Sequence, residues 1–431
     1  MKKPIIRENI KIEKIVGGGQ GLGRLTSGKK IFAWNALKDE VVNITLIKKK
    51  SSLEEGIATE IKEPSKDRIT PKDPDSYLST SPWQILDWQK ENALKANLIY
   101  DSLRLNQVEL NQPISMFSDN KPYNYRNKIE FSFFWDKDED QLFLAFFKRG
   151  SHNKIKVGQT SLAKDEINQA AKQILELLRK RKVAGFSLKT LLIRSNQNRE
   201  VVAQLYIKDL DALQISEEDF KNLNIRGLEV VYSDPKSPAS VITKRIRSFG
   251  KTNLEDKILN INFSYSIEGF FQINLPVYEE ALKNIKKFID PTKKTVDLYS
   301  GVGTIGLCVS KGDTELVEIN KSAVLEMKNN IKKLKLKAKA ILASAEDATN
   351  YITNNCNLIV DPPRAGLHKN VINKINEVLP DRVIYLSCNP DTQSRDVKLL
   401  ENNYKIEFIR GYNFFPRTPH IECLIVLKRI N

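Results

Sequence analysis

The first 63 residues contain short runs in which apolar and polar positions alternate. Glycines in "GGGQGLG" interrupt these runs, which read "IIRENIKIEKI", "GRLTSGKKIFAW", "DEVVNITLIKKK" and "GIATEIKEP". Alternation with a period of two, broken by turn residues, is typical of short β-strands and predicts a small barrel. Residues 1–63 are therefore predicted to form an OB-like β-barrel. Its basic residues and its Gly-rich turn favour contact with RNA, and a purely structural barrel is the alternative.

The pattern changes twice between residues 64 and 265. Residues 64–82 are rich in Pro, Ser and Asp, which predicts a linker. Residues 83–105 have apolar positions at helical spacing, and residues 113–265 alternate strand-like runs with one amphipathic helix, "KDEINQAAKQILELLRKRKV". Residues 83–265 are thus predicted to form an α+β central domain, to which the resemblance described below assigns RNA binding. The helix at 83–105 could instead pack on the domain that follows it.

From about residue 290 onward, short apolar runs alternate with helical segments. The runs read "TVDLYS", "TELVEI", "AKAILAS", "CNLIVD" and "RVIYLSC". Strands that are apolar along most of their length, with helices between them, are typical of a parallel sheet covered on both faces. Residues 266–431 are therefore predicted to form an α/β, Rossmann-like domain with a doubly wound sheet.

The composition adds a charge preference to this outline. Lys and Arg number 69 against 53 Asp and Glu, which gives a net charge of +16. Such an excess favours a polyanionic partner, nucleic acid first, although a general bias toward Lys and Asn would give the same total. No apolar run approaches the ~20 residues of a membrane span, and the start of the chain has no apolar signal-peptide region. We expect a cytoplasmic protein without a membrane partner, and the pattern indicates no obligatory protein partner.

Few residues are available to bind a metal ion. No two cysteines have Cys-x2-Cys spacing and none precedes residue 308, so neither a zinc site nor a disulfide framework is expected. The cysteines and histidines are Cys308, Cys356, Cys388, Cys423, His152, His368 and His420.

The segment "DLYSGVGTIGL" (297–307) follows the first strand of the α/β domain and opens a helix. Gly301 and Gly303 allow the backbone to approach a ligand closely, as in nucleotide-binding loops. Glu318 ends the next strand, where a carboxylate can accept hydrogen bonds from both ribose hydroxyls. Asp347 follows the third strand and could reach an adenine amine, or could cap a helix. These features predict a nucleotide-type cofactor and leave NAD and S-adenosylmethionine open.

Two reactive side chains follow the next two strands. Asp361, in "LIVDPPRAGLH", precedes two prolines that make a rigid acidic turn, which could also be purely structural. Cys388 ends "RVIYLSC" between Ser387 and Asn389 and precedes a helix whose N-terminus could activate a thiolate. A small buried core residue is the alternative for Cys388.

The last motif, "NFFPRTPHIECLIVLKR" (413–429), contains a candidate base. Glu422 interrupts an apolar strand-like run, where burial would raise the pKa of its carboxyl and suit it to proton transfer. An outward-facing position on an edge strand is the alternative for Glu422, and His420 is an equally placed candidate base.

Together these motifs resemble the RNA uridine-5 methyltransferase family. The matching segments follow the family's order over residues 265–427 and read "EGFFQIN", "DLYSGVGTIGL", "VE", "DPPRAGL", "LSCNP" and "FPRTPHIE", while "YRNKIEFSF" resembles its central domain. The resemblance implies S-adenosylmethionine as cofactor, Cys388 as nucleophile and Glu422 as proton acceptor. It also implies cofactor-binding roles for six residues, namely Gln272, Tyr299, Thr304, Glu318, Asp347 and Asp361.

The first 63 residues resemble the TRAM domain, the RNA-binding barrel of the family's ribosomal-RNA branch. This resemblance implies 23S rRNA as the substrate, with tRNA methylation at uridine 54 as the alternative and a non-catalytic RNA-binding protein as an alternative of another class. Many members have four cysteines that bind an iron–sulfur cluster. The matching stretches here, "DPDSYLSTSPWQ" and "VGQTSLAKD", contain none, so no cluster is expected.

Overall fold

The computed structural model describes residues 4–211 and 215–430, so predictions that include residues 1–3, 212–214 and 431 lie outside it at those positions. The chain begins with a closed barrel in which the strands follow the order β1-β2-β3-β5-β4. The strands are β1 (Ile6–Ile15), β2 (Gly21–Arg24), β3 (Lys30–Trp34), β4 (Val41–Lys49) and β5 (Leu53–Glu63). The inward positions hold small and β-branched residues, including Ile12, Ile31 and Ile44, which form a separate small core. This barrel fits a TRAM domain, as the resemblance predicted.

Residues 64–82 were predicted to be a linker. In the structure they contain a short helix, α1 (Tyr77–Thr80), and form hydrogen bonds with both the barrel and the central domain. Arg68 donates hydrogen bonds from Nε (2.5 Å) and Nη2 (2.8 Å) to the buried carboxylate of Glu40 in the barrel. The carboxylate of Asp73 accepts hydrogen bonds from the backbone and the hydroxyl of Ser161 (Oγ, 2.8 Å). Polar composition alone does not reveal these contacts, because the partners lie far away in sequence.

A helix and a short strand precede the central sheet, namely α2 (Trp88–Leu105) and β6 (Ser115–Phe117). The central sheet has seven strands in the order β13-β12-β11-β10-β7-β8-β9. Its elements are β7 (Lys128–Asp136), β8 (Gln141–Phe147), β9 (Lys154–Val157), α3 (Asp165–Lys180), β10 (Leu188–Ser195), β11 (Val201–Ile207), α4 (Glu217–Lys221), β12 (Gly227–Tyr232) and β13 (Lys244–Gly250). The apolar face of α3 covers one side of the sheet, as the predicted amphipathic helix required.

A two-stranded hairpin of β14 (Asn253–Ile258) and β15 (Ile261–Ser266) follows the central sheet. Its side chains Leu254, Phe263 and Tyr265 lie in the same hydrophobic core as the C-terminal elements. The predicted boundary at residue 265 would therefore separate the hairpin from the body against which it packs.

The C-terminal body is an eight-stranded sheet in the order β18-β17-β16-β19-β20-β22-β21-β6, with helices on both faces. Its elements are α5 (Leu275–Lys286), β16 (Lys294–Leu298), α6 (Thr304–Val309), β17 (Thr314–Glu318), α7 (Lys321–Leu334), β18 (Ala338–Leu342), β19 (Cys356–Val360), α8 (Lys369–Val378), β20 (Arg382–Ser387), α9 (Pro390–Leu400), β21 (Tyr404–Tyr412) and β22 (Glu422–Arg429). The predicted α/β fold is confirmed, and β6, expected in the central domain, joins this sheet instead.

Strand direction sets which residues meet at the functional edge. β18, β17, β16, β19 and β20 are parallel to one another, so their carboxyl ends lie at one edge of the sheet. β22 runs antiparallel to β20 and pairs Cys423 with Ser387, which brings its first residue, Glu422, to the same edge. The sheet is therefore mixed rather than wholly parallel. The parallel strands bring their last residues to this edge, whereas the antiparallel strand β22 brings its first residue.

The helix α2 is tied to the loop 413–421 through three buried charged side chains, Glu91, Lys95 and Arg417, here called the buried ion cluster. The Lys95 ammonium lies 3.1 Å from the Glu91 carboxylate and donates to Asn413 Oδ1 at 2.6 Å and to the carbonyl of Phe415 at 3.1 Å. Burial lowers the pKa of Lys95, and Glu91 opposes that shift. The predicted helix at 83–105 thus packs on the C-terminal body.

Arg417 completes the buried ion cluster from the loop side. Its backbone N–H donates to Glu91 at 3.0 Å, and its guanidinium donates to the carbonyls of Gln84 (3.0 Å) and Leu86 (2.6 Å). The three charged side chains are at most 1% exposed. A buried charge requires a partner, so the ion cluster fixes the loop 413–421 relative to α2.

The barrel also contacts this loop through its Gly-rich turn. The Trp83 indole donates to the carbonyl of Gly19 at 3.1 Å, and a β-carbon at Gly19 would overlap the ring of Pro419. The turn predicted to face RNA therefore has one glycine, Gly19, packed against the loop 413–421, whereas Gly17 and Gly18 remain exposed. None of the helices in residues 4–211 and 215–430 is long and apolar enough to cross a membrane.

The substitution Glu91→Ala should destabilise the protein by about 3–5 kcal/mol, because it leaves Lys95 and Arg417 buried without their carboxylate. Denaturant unfolding, followed by the fluorescence of the tryptophans, measures the change.

The matched control is Glu60→Ala, which removes an exposed ion pair with Lys62 in the barrel. Exposed pairs contribute little, so its effect should stay within about 0.5 kcal/mol. Equal, small effects of both substitutions would contradict a structural role for the buried ion cluster.

Candidate active site

One cavity of about 920 Å³ opens at the carboxyl edge of the C-terminal sheet. Its lining includes Arg126 of the central domain as well as residues of the C-terminal body. Seven of the eight predicted site residues line it: Gln272, Tyr299, Thr304, Glu318, Asp361, Cys388 and Glu422. The volume lies near the upper end of the roughly 300–1,000 Å³ typical of ligand pockets.

The Gly-rich loop forms one end of this cavity. Gly301 has a φ of +56°, and a β-carbon there would meet only open space, with the Phe270 ring 4.0 Å away. The Glu318 carboxylate accepts from the backbone N–H of Gly301 at 2.9 Å and of Asn320 at 2.7 Å. These two bonds orient the carboxylate and leave lone pairs for further donors, such as ribose hydroxyls.

Three more predicted cofactor residues surround the loop. Thr304 begins α6, and its hydroxyl lies 2.7 Å from that of Tyr278 on α5. Tyr299, directly after β16, has a φ of +62° and accepts a long hydrogen bond (3.5 Å) from the backbone of His368. The backbone carbonyl of Gln272 accepts a hydrogen bond from the side-chain amide of Asn127 at 3.0 Å. Each residue is therefore positioned by a contact outside its own motif.

Asp347 is the predicted residue that the structure places elsewhere. Its side chain is exposed and accepts from the hydroxyl of Ser344 at 2.6 Å, and it is absent from the cavity lining. The preceding residue, Glu346, lines the cavity with Ala345. The turn after β18 thus presents Glu346, and the adenine contact predicted for Asp347 does not follow from the geometry. Asp347 is not a helix N-cap either, since Ala348 holds that position before a short 3-10 helix.

The opposite end of the cavity brings Asp361 and Cys388 together at the ends of neighbouring strands, β19 and β20. Burial raises the pKa of Asp361 to about 7. Burial also raises the pKa of the Cys388 thiol to about 11, and the carboxyls of Glu422 and Asp361 add to that shift. Activation of the thiol by the N-terminus of α9 stays a prediction, and in the free protein burial and these acidic neighbours act against it.

Glu422 lies inside the sheet, on a strand between β20 and β21, and is 6% exposed. The edge-strand alternative is therefore wrong. Burial raises the pKa of the Glu422 carboxyl well above its usual value, Asp361 raises it further, and Arg364 opposes the shift. Two carboxyls and a thiol thus lie in one cavity, which the guanidinium groups of Arg364 and Arg126 also line.

His420 was the alternative base, and its contacts argue against that role. Its Nδ1 lies 2.8 Å from Nη2 of Arg364. Burial and the charge of Arg364 lower the pKa of the imidazole to about 4. A weakly basic ring whose Nδ1 is already occupied is a poor proton acceptor.

Several lining residues were not predicted as site residues. Arg126 reaches the cavity from the segment "YRNKIEFSF", and its charge within a matching motif was the available signal. Phe270 and Ile319 also line the cavity although they are more than 60% exposed, which is unusual for large apolar side chains and marks a binding surface. Phe415 begins the matching segment "FPRTPHIE", which was the available signal for it. Tyr278 has no local signal, because tertiary packing alone places it.

A family model described as tRNA (uracil-5-)-methyltransferase matches residues 93–430. The chain belongs to this family. The match includes most of α2, most of the central domain and the whole C-terminal body, so all eight predicted site residues lie within it, whereas the N-terminal barrel lies outside it. Proteins similar to this chain are named as RNA methyltransferases.

Two of the similar curated proteins illustrate this. An uncharacterized RNA methyltransferase of Fusobacterium nucleatum is 29% identical, with 97% of this chain and 95% of that protein covered. An uncharacterized RNA methyltransferase of Lactobacillus johnsonii is also 29% identical, with 97% and 96% covered. The similarity therefore includes the N-terminal barrel as well as the matched family region.

A solved structure shares the fold over nearly the whole chain. It is the Pyrococcus abyssi tRNA (uracil-54, C5)-methyltransferase in complex with S-adenosyl-L-homocysteine, with a TM-score of 0.80 and 20% sequence identity. The superposition covers 98% of this chain and 100% of that one.

Within residues 4–211 and 215–430, no group of three or more His, Cys, Asp and Glu side chains is arranged to hold a metal ion. Cys308, Cys356 and Cys423 are buried in separate parts of the C-terminal sheet and helices. The absence of an iron–sulfur cluster stays a prediction that iron analysis of the purified protein would test.

Cys388 should react with iodoacetamide slowly at neutral pH, because only the thiolate is nucleophilic and the pKa of its thiol is raised to about 11. The rate of modification should rise about tenfold per pH unit between pH 7 and pH 10, in step with the thiolate fraction. Mass spectrometry of the peptide that contains Cys388 measures this rate separately from the three buried cysteines.

The comparison variant is Glu422→Gln, which removes one acidic neighbour and should increase the rate at pH 8. A wild-type rate that levels off by pH 9 would show that the thiol is already activated in the free protein and would contradict the account of its environment.

Proposed function

We propose that this protein transfers a methyl group from S-adenosylmethionine to C5 of a uridine in RNA, through a covalent bond between Cys388 and C6 of the base. The observation that carries the proposal is the joint position of Cys388, Asp361 and Glu422 at one end of a cavity whose other end holds the Gly-rich loop and Glu318. A nucleophile, two carboxyls and a nucleotide-type loop in one cavity suit nucleophilic catalysis on a base beside a bound cofactor.

The residues at the loop end fit S-adenosylmethionine. Glu318 can accept from ribose hydroxyls, the open space at Gly301 admits a close ligand, and Ile319 offers an apolar surface to the purine. Gln272, Tyr299, Thr304 and Asp361 are proposed to complete the binding site, and Glu346 replaces Asp347. When bound, S-adenosylmethionine supplies the methyl group on a positively charged sulfonium, which also favours the ionised forms of the acidic groups in the cavity.

Cys388 raises the electron density of C5, which is a poor nucleophile in free uracil. The sulfur bonds to C6, the electron pair of the C5–C6 double bond moves toward C5 and O4, and the thiol proton must pass to a base. The Asp361 carboxyl is suited to accept it, because its pKa of about 7 lies near the working pH. C5 then takes the methyl group, and a neutral thioether is left behind.

Glu422 is proposed to restore the aromatic ring. Its carboxylate removes the proton from the methylated C5, the double bond between C5 and C6 forms again, and the bond from C6 to Cys388 breaks. Burial favours this step, since it makes the carboxylate a stronger base than an exposed glutamate. Arg364, which opposes the rise in the pKa of Glu422, helps to keep the carboxylate ionised before the step.

The target uridine has to leave its helix, because a stacked and paired base cannot reach a recess of this kind. The barrel and the central sheet are proposed to hold the surrounding RNA by contacts with phosphates and by stacking. Arg126, the cavity residue contributed by the central domain, is positioned to bind a phosphate or a carbonyl near the flipped nucleotide.

We propose 23S rRNA as the substrate, on the TRAM-like barrel. Methylation of tRNA at uridine 54 is the second candidate, favoured by the fold shared with the archaeal tRNA enzyme over 98% of this chain. That superposition includes the barrel, so a barrel of this type also occurs in an enzyme named for tRNA methylation. A non-catalytic RNA-binding role is disfavoured by the complete set of Cys388, Asp361 and Glu422 in one cavity.

Unmodified 23S rRNA and tRNA transcripts that contain [5-³H]uridine provide the test. With S-adenosylmethionine, the wild-type protein should release tritium from the rRNA with one methyl group incorporated for each proton lost. Cys388→Ala should release at least about 1,000-fold less, as expected when a covalent nucleophile is removed.

Release from tRNA alone would transfer the proposal to the second candidate. Cofactor binding without release from either RNA would contradict uridine C5 methylation of these two substrates, and methylation without tritium release would indicate transfer to another atom.

A further inference from the structure

The hydrogen bond between Arg364 and His420 determines where the histidine holds its proton. A guanidinium has only donors, so Nδ1 of His420, 2.8 Å from Nη2 of Arg364, must be the acceptor. The pKa of the imidazole is lowered to about 4, so the ring is neutral at physiological pH. A neutral imidazole with an accepting Nδ1 has its proton on Nε2.

The Nε2–H group has no hydrogen-bond partner within residues 4–211 and 215–430, and its ring lines the cavity that contains Cys388 and Glu422. Two contacts hold the ring in place and a third holds its backbone. Arg364 bonds Nδ1, the Phe415 ring packs edge-on at 5.7 Å, and the backbone N–H of His420 donates to Thr418 Oγ1 at 3.3 Å. Phe415 and Thr418 are in turn fixed by the buried ion cluster, since the Phe415 carbonyl accepts from Lys95 and from the Thr418 hydroxyl.

We propose that His420 is a specificity-determining residue, whose Nε2–H donates a hydrogen bond to O4 of the target uracil. This inference rests on the proposed function. Cytosine has a donating amino group at position 4, which would oppose the Nε2–H group, whereas the O4 carbonyl of uracil accepts from it. An unpaired polar group in a closed site is costly, so the fixed donor selects uracil over cytosine.

The reaction favours O4 over O2 as the acceptor. When Cys388 bonds to C6, negative charge develops at C5 and O4, which are joined through C4, and a preorganised donor at that oxygen stabilises the intermediate. Glu422 acts at C5, the neighbour of C4, and His420 lies two residues before Glu422 on the same segment. The donor therefore belongs beside the atom that gains charge.

A cycle of enzyme and substrate variants tests the assignment. The RNA that the tritium assay identifies is synthesised with uridine, 4-thiouridine or 2-thiouridine at the methylated position, because sulfur is a much weaker hydrogen-bond acceptor than oxygen. Wild type, His420→Leu and His420→Gln are compared by kcat/KM for methyl transfer. His420→Gln retains an amide donor near the position of Nε2 and serves as the conservative variant.

His420→Leu should lower kcat/KM on the uridine RNA about 100-fold, the usual cost of removing one such donor, and His420→Gln should recover part of the loss. Wild type should lose activity on 4-thiouridine RNA, and His420→Leu should lose little further. Dissociation constants for S-adenosylmethionine should be equal in all three proteins.

The proposal would be overturned if 4-thiouridine lowered kcat/KM by the same factor in wild type and in His420→Leu. It would also be overturned if the substitution reduced the effect of 2-thiouridine on kcat/KM and left that of 4-thiouridine unchanged. Both outcomes are distinct from failure of the proposed function, in which the wild-type protein would not methylate the uridine RNA at all.

Discussion

The arrangement of the site depends on the parallel pairing of β16, β19 and β20. Parallel strands end at a common edge, so the Gly-rich loop, Asp361 and Cys388 meet there although some 90 residues separate the first from the last. The antiparallel strand β22 adds Glu422 by entering the same edge with its first residue. A shift of one residue in any of these pairings would turn a functional side chain away from the cavity. The apolar strands, buried on both faces, are what hold the register.

The buried ion cluster fixes a second part of the site, the loop 413–421 that leads to Glu422. Lys95 and Glu91 of α2 form hydrogen bonds with backbone groups of the loop 413–421. On the barrel side, Gly19 packs against Pro419 of the same loop. The loop thus contacts the N-terminal barrel on one side and leads on the other into β22, which begins with Glu422. Through this one loop the barrel, the helix α2 and the C-terminal body are in direct contact.

Local patterns predicted the features that depend on strand ends. Glu318, Asp361 and Cys388 follow apolar runs, and a parallel sheet must place them together, so their shared cavity followed from the sequence. The position of Asp347 did not follow from the sequence. A shift of one residue in the turn after β18 decides whether Asp347 or Glu346 faces the cavity, and in the structure Asp347 instead accepts a hydrogen bond from Ser344. The raised pKa of Cys388 was equally out of reach. Its causes are burial and the carboxyls of Glu422 and Asp361, which come from other strands, and the residues around the cysteine reveal none of these. The packed state of residues 64–82 depends in the same way on distant partners.

The covalent bond between Cys388 and the uracil ring is the central claim, and trapping it tests the claim most directly. RNA containing 5-fluorouridine replaces the C5 proton with a fluorine that Glu422 cannot remove as a proton, so the adduct should persist after methyl transfer. The account predicts that wild-type protein with S-adenosylmethionine forms a complex that survives denaturation, that mass spectrometry locates the nucleotide on Cys388, and that Cys388→Ala forms none. Methylated fluorouridine without any protein adduct, or an adduct on another residue, would contradict it.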